Sequence, residues 1–164
     1  MWNHLSRRTR QTITRQEFER AAPKLVEDVA KVEGGETFLE EEVGDGLTLA
    51  AMVGGPPPGA YAELLRFEEG EWKVELRTLD LIYGVSAASA SDRLDFQVNA
   101  PSPVGVTGRM WLDGRPVAVD RRVANRLVSF TARGVRLSPG RHTVVAFGRA
   151  GERRGAIAWI VDED

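Results

Sequence analysis

What most constrains this chain is how often its apolar runs are interrupted. From Gly34-Gly35 onward, turn residues recur at short intervals: Gly44-Asp45-Gly46, Gly54-Gly55-Pro56-Pro57-Pro58-Gly59, Glu69-Gly70-Glu71 and Asp113-Gly114. Such punctuation favours short strands joined by tight turns over long helices. In the first half the strand candidates are Leu25–Val32, Thr37–Glu42, Leu47–Val53, Ala60–Glu68 and Trp72–Ile82, the last two joined as a hairpin through Glu69-Gly70-Glu71. In the second half they are Leu94–Val98, Val104–Leu112, Val117–Asp120, Leu127–Ala132, His142–Arg149 and Gly155–Val161. Asp113-Gly114, set between apolar runs, fits a type I′ turn, in which both central residues need positive φ.

Helical signals are confined to the start. Residues 2–10 read as a short helix with Trp2 and Leu5 on one face. Thr14 and Glu17 then have the spacing of a capping box, and Ile13 and Phe18 occupy the hydrophobic-staple positions. A helix is expected over 15–22, stopped or kinked at Pro23, whose ring removes an intrahelical bond. The first half is thus helices followed by an antiparallel sheet, and the second is all strand. The small polar run at 84–93 (Gly-Val-Ser-Ala-Ala-Ser-Ala-Ser-Asp-Arg) reads as an interdomain linker; a strand running into a helix is the alternative. This divides the chain into 1–84, a linker at 85–93, and 94–164.

Charge changes sign at the same point. Residues 1–84 carry a net charge of −6 and residues 85–164 a net charge of +4, for −2 overall. A near-neutral total argues against a dedicated nucleic-acid binder. Cysteine is absent, which excludes disulfides, thiolate-ligated zinc and thiol catalysis. No apolar run approaches the ~20 residues that cross a bilayer, so direct membrane insertion by this chain is not expected. The opening Met1-Trp2-Asn3-His4 has neither the basic lead nor the apolar stretch of a signal peptide.

Two resemblances follow from particular residues. Trp2-Asn3-His4-Leu5-Ser6, Thr14-Arg15-Gln16-Glu17-Phe18, Ala60-Tyr61-Ala62-Glu63-Leu64-Leu65-Arg66-Phe67 and Gly70-Glu71-Trp72-Lys73-Val74-Glu75 resemble the nuclear-transport-factor-two-like superfamily. That resemblance covers residues 1 to about 83 and implies an α+β cone, a curved antiparallel sheet wrapped around helices. The family's long first helix has no counterpart ahead of Trp2. Ala100-Pro101, Trp111-Leu112-Asp113-Gly114-Arg115-Pro116 and Leu137-Ser138-Pro139-Gly140-Arg141-His142-Thr143-Val144 resemble small immunoglobulin-like modules of bacterial surface proteins. This implies a β-sandwich over 94–161. With no cysteine pair, Trp111 or Trp159 is expected to fill its core.

Candidate chemistry is sparse. The only histidines, His4 and His142, lie in different halves, and neither has a second histidine or a carboxylate at ligand spacing. No Gly-x-Ser-x-Gly, P-loop or Gly-x-Gly-x-x-Gly occurs. No catalytic residue, metal ligand or cofactor is therefore assigned. Glu40-Glu41-Glu42 with Asp45 is an acidic cluster read as a solvated hairpin end, with a hard cation as the alternative. Arg121, Arg122, Arg126, Arg133, Arg136 and Arg141 enrich the second half in guanidinium and read as a solvated face, with an anion surface as the alternative. The proline run 56–58 reads as a rigid loop. Trp2, Tyr61 and Asp80 are the pocket candidates that the cone resemblance implies. The aromatics Trp2, Phe18, Tyr61 and Trp72 read as core in preference to ligand contacts, and Glu63, like Asp80, lies on a strand that can face inward.

The expectation is a non-enzymatic binding or spacer module of a bacterial cell-envelope protein, extracytoplasmic, with its anchor or signal outside this chain. Its partner would be a protein or an envelope polymer, and a homodimer is a further expected state. The alternative is a small-molecule-binding cone, with or without catalysis, carrying an accessory sandwich.

Overall fold

The structure is a computed structural model that describes residues 2–30, 34–55, 58–75, 81–88, 93–124 and 127–163. The chain divides into two compact units, Met1–Leu76 and Arg77–Asp164. The first is α+β. The second is almost all strand in two packed sheets. No helix among the described residues is long and apolar enough to cross a membrane.

The first unit opens with a 3-10 turn, Trp2–His4, followed by α1 (Arg7–Thr12) and α2 (Arg15–Ala30). The expected single helix over 2–10 is therefore broken at Leu5-Ser6, because Ser6 acts as an N-cap: its Oγ accepts from the Thr9 amide at 3.0 Å. The capping box of α2 is formed as the spacing requires. Glu17 accepts from the Thr14 amide at 2.7 Å, and the Glu17 amide donates to Thr14 Oγ1 at 3.2 Å. Pro23 does not end this helix; it lies inside it. A proline deprives a helix of one hydrogen bond, and the turns on either side carry it through. The expected strand Leu25–Val32 is corrected accordingly: residues 25–30 belong to α2.

Four antiparallel strands follow as a meander in the order β1-β2-β3-β4: Glu36–Gly44, Leu47–Gly54, Gly59–Glu68 and Glu71–Glu75. Asp45-Gly46 and Glu69-Gly70 close two of the hairpins with positive φ at both residues. Register places Leu39, Ala51 and Ala62 in one row, and Leu49, Leu64 and Glu75 in the next. The apolar members of both rows are buried, as are Leu5 and Phe18 from the N-terminal segment. The expected strand Trp72–Ile82 is not one strand: β4 ends at Glu75, and residues 76–80 lie outside the described residues.

In the second unit, β5 (Ile82–Ala88), β6 (Arg93–Asn99), β10 (Leu127–Ala132) and β9 (Val119–Ala124) form one sheet in that order. β12 (Arg153–Glu163), β11 (Gly140–Ala150), β7 (Thr107–Leu112) and β8 (Arg115–Val117) form the other. The reading of 85–93 as linker is corrected at residues 85–88, which are strand, and at Arg93, which opens β6; residues 89–92 lie outside the described residues. Backbone pairing with β6 does not depend on side-chain size, so a run of small residues can still form an edge strand. The expected strand Val117–Asp120 is split, its ends belonging to β8 and β9. Asp113 and Gly114 have φ of 49° and 74°, as the expected type I′ turn requires.

The inner faces bury Leu94, Phe96 and Val98 from β6, Val128 and Phe130 from β10, Met110 from β7, and Val144 and Ala146 from β11. Trp159 packs against this cluster. Trp111 is fully buried too, but it follows Met110 on the strand and so lies on the opposite face of its sheet. Of the two expected core tryptophans, Trp159 is the one that fills the space between the sheets.

What lets the sheets approach is a row of glycines. Gly108, Gly148 and Gly155 stand side by side on β7, β11 and β12. A Cβ at Gly108 would lie 2.7 Å from the Phe130 ring, and one at Gly148 would lie 2.8 Å from Val98 Cγ2. At Gly155 the nearest atoms, from Leu81 and Ile82, would be 3.4 Å away. The opposite sheet thus seats its side chains directly on bare backbone.

Candidate functional site

The second unit holds one constellation with the look of a catalytic centre. β7 runs into the Asp113-Gly114 turn, and Asp113 is held against the start of β11: its amide donates to Thr143 O at 2.8 Å, and its Oδ1 accepts from the Thr143 amide at 2.8 Å. Just before β11, Ser138-Pro139-Gly140 turns the chain, with Gly140 at a φ of 129°. That turn brings Ser138 back over His142. His142 Nδ1 lies 2.8 Å from Asp113 Oδ2, and its Nε2 lies 2.8 Å from the Ser138 carbonyl oxygen and 3.5 Å from Ser138 Oγ. A serine, a histidine and an aspartate are therefore adjacent.

The geometry is wrong for a triad. A serine nucleophile needs a neutral imidazole whose free Nε2 lone pair faces the hydroxyl. Here Nδ1 faces the Asp113 carboxylate, and Nε2 lies nearer the Ser138 carbonyl oxygen than the Ser138 hydroxyl, an arrangement that favours the doubly protonated ring. The hydrogen bond to Asp113, and then that to the Ser138 carbonyl, hold the His142 pKa above the ordinary histidine value. Burial pushes the Asp113 carboxyl up, but the hydrogen bonds from His142 and the Thr143 amide outweigh it and hold the group below its usual range. The arrangement joins the β7–β8 hairpin to the entrance of β11. It ties the two turns together.

The first unit has its own buried polar groups. Ser6 donates through its hydroxyl to Glu75, and its amide donates to Val74 O at 2.8 Å. Glu75 sits on the apolar face beside Leu64, only 6% exposed. Arg8 and Arg66 approach it at 3.7 and 3.6 Å, ion pairs too long for hydrogen bonds. Glu68 accepts from the Arg7 amide at 2.8 Å, and Arg7 pairs with Glu69 at 2.6 Å. Together these contacts fix the start of α1 to β4 and to the tip of its hairpin.

The pocket candidates are dispersed. Trp2 is half-buried and meets Phe18 edge-on, with ring centroids 5.7 Å apart. Tyr61 is buried and donates to Glu63, two residues along the same strand face. Asp80 lies outside the described residues. Trp72 is not core, as expected, but 49% exposed, and it stacks edge-on with Phe67, 59% exposed, across the hairpin. Among the described residues no three His, Asp or Glu side chains are grouped to hold a metal ion, the 40–45 run included.

The arginine set is partly engaged with its own chain. Arg121 donates to the Val106 carbonyl at 3.3 Å, Arg133 pairs with Asp120, and Arg141 pairs with Asp162 at 2.8 Å. Arg126 lies outside the described residues. Sequence reasoning missed the partnership of His142 with Asp113, which are 29 residues apart. Both residues stood in the motifs that carried the immunoglobulin-like resemblance, Trp-Leu-Asp-Gly and Pro-Gly-Arg-His. Ser6 and Glu75 left no local signal, because their meeting depends on the bridge between Leu5 and Val74.

Compared with protein-family models, curated proteins and solved structures, the chain matches none.

Proposed function

We propose that this chain is a non-enzymatic binding or spacer module of a bacterial cell-envelope protein, its second unit an immunoglobulin-like sandwich and its first a nuclear-transport-factor-two-like α+β domain. The observation that carries this reading is strand order. In immunoglobulin domains the first sheet runs A-B-E-D, and the second runs G-F-C with a C′ strand added in some types. β5-β6-β10-β9 and β12-β11-β7-β8 follow the same succession. Sandwiches of this kind act through their surfaces and edges, and the one Ser-His-Asp grouping in this unit is engaged as a fastener. Short helices followed by a four-stranded antiparallel meander support the α+β part of the reading.

Protease treatment of intact cells that express the tagged full-length product tests the compartment. Cleavage before lysis is expected; protection until lysis contradicts it. Hydrolysis of p-nitrophenyl acetate tests the chemistry. Turnover lost in both Ser138→Ala and His142→Ala would overturn the non-enzymatic reading.

The Tyr61–Glu63 pair favours a second reading, a small-molecule site in the first unit, since a buried carboxylate and phenol are groups that orient a polar ligand. Saturable binding of a small ligand, abolished by Tyr61→Phe in a chain that stays folded, would establish it.

A further inference from the structure

We infer that β9 is a self-pairing edge, through which two copies of this chain associate antiparallel about a two-fold axis at Arg121. This inference does not depend on the cell-envelope reading.

An unpaired sheet edge is a template for another strand, and proteins guard it with irregularity, shortness, proline, cover or charge. Five of the six edges in the three sheets are guarded in the first four ways. β1 has two register shifts, and β5 has one between Tyr83 and Ser86. β4 is bridged by Leu5 at Val74. β8 has three residues, one of them Pro116. β12 is buried at Arg154-Gly155-Ala156. β9 pairs with β10 over six residues without a shift, and Asp120–Ala124 are exposed in succession. Its one guard is charge.

The backbone groups on offer follow from the register. The Arg133 amide donates to Ala118 O at 2.8 Å, and pairing continues from there through Asp120 with Thr131 and Arg122 with Ser129. Inward and outward groups alternate along an antiparallel strand. Ala118, Asp120, Arg122 and Ala124 therefore turn their N–H and C=O to β10, and Val119, Arg121 and Val123 turn theirs away. Among the described residues β9 pairs with β10 alone, and no hydrogen bond takes up those outward groups.

A second β9, antiparallel and centred on Arg121, presents the same groups in matching positions. Val119 then stands opposite Val123, Arg121 opposite its own counterpart, and between them Asp120 stands opposite Arg122. Asp120 and Arg122 are opposite in sign and equally far from the centre. A run of one sign would repel a copy, whereas this pattern attracts it, twice per two-fold interface. Arg122 has no hydrogen bond or ion pair among the described residues, and Asp120 is held by Arg133. The cross-copy pairs therefore set the register more than the strength of association. Each Arg121 guanidinium is tied to its own chain, donating to the carbonyls of Val106 and Pro103 at 3.3 and 2.5 Å, which limits the like-charge contact at the axis. Val123, 46% exposed, gains Val119 of the other copy as an apolar neighbour.

Sedimentation equilibrium of the full chain tests this. A reversible dimer is expected, detectable below about 0.5 mM. Val123→Pro takes an outward N–H from the edge without touching a bond to β10, a position where a strand accepts proline. It is expected to weaken association about thirtyfold or more, since a bond is lost from each copy. Arg122→Glu sets like charges opposite each other twice and is expected to weaken it about tenfold. Hydrogen exchange of the unaltered chain is a measurement that no folding defect can confuse. The amides of Val119, Arg121 and Val123 are expected to gain protection as concentration rises, while that of Arg122, which faces β10, stays as it was. A chain monomeric to about 0.5 mM overturns the proposal. So does a dimer that either variant, folded by circular dichroism, leaves unchanged, or protection at the three outward amides that does not rise with concentration.

Discussion

The first unit fixes the start of α1 to its sheet through polar atoms, whereas the second brings two sheets together by leaving atoms out. Ser6, Glu75, Arg8 and Arg66 converge on the edge of the meander, and the start of α1 is held by hydrogen bonds and charge. In the sandwich, the Gly108–Gly148–Gly155 row removes three side chains so that Phe130, Val98 and Ile82 can seat on backbone. Polar anchoring is directional and responds to partner loss and ionic conditions. Steric fit responds to volume alone. The two units should therefore fail under different substitutions.

The largest effect is expected at the glycine row. Gly108→Ala forces the Phe130 ring to move, and Phe130 is stacked on Phe96 with centroids 5.1 Å apart, so it has little room to retreat. A loss of about 3 kcal/mol is expected, about 2 for Gly148→Ala and under about 1 for Gly155→Ala, whose nearest neighbours are farther away. Urea denaturation gives the order, and an inverted order would break the steric half of the comparison. In the first unit, Ser6→Ala takes away the hydroxyl that Glu75 receives and the cap of α1 together. It is expected to cost about 2 kcal/mol, visible in the same experiment; an unchanged midpoint would sever the polar half.

The Asp113–His142 fastener is a polar device inside the sterically built unit, and pH isolates it. The His142 pKa is raised on folding, so its contribution is complete below the ordinary histidine value and is lost as pH rises through the folded value. The Asp113 pKa is lowered, so its contribution is present above the ordinary carboxylate value and is lost as pH falls through the folded one. The stability difference between the parent chain and His142→Ala should be greatest between about pH 4.5 and pH 6 and shrink above neutrality. About 1 kcal/mol is expected at the maximum, since Asp113 is half exposed. The smallest expected change is Thr14→Ala, which opens the capping box of the exposed α2 start at a cost of up to about 1 kcal/mol. Loss of helical circular dichroism without loss of the sandwich would sharpen the division between units.

How much of this was legible depended on whether a feature is set by neighbours or by distant chain. Asp113-Gly114 and the Thr14–Glu17 box were legible because turn and cap chemistry lies within a few residues. Helix α2 beyond Pro23 was not, since a proline weighs heavily in a local reading and deprives the folded helix of only one bond. β5 was hidden because Gly84–Ala88 carries no apolar alternation. Leu81 and Ile82 at its start reach the glycine row, and β6 supplies its backbone partners. The fastener was half legible: the Asp113-Gly114 turn shows in the sequence, and the histidine that meets Asp113 comes from a strand that only the sheet brings near.

Whether His142 is a fastener or a base is decided by its protons. Nitrogen-15 NMR of the ring across about pH 5 to 9 reads both positions at once. The account requires an imidazolium with both nitrogens protonated, titrating above the ordinary histidine value. A neutral ring at pH 7 with Nε2 unprotonated toward Ser138 Oγ would contradict it and make His142 a base.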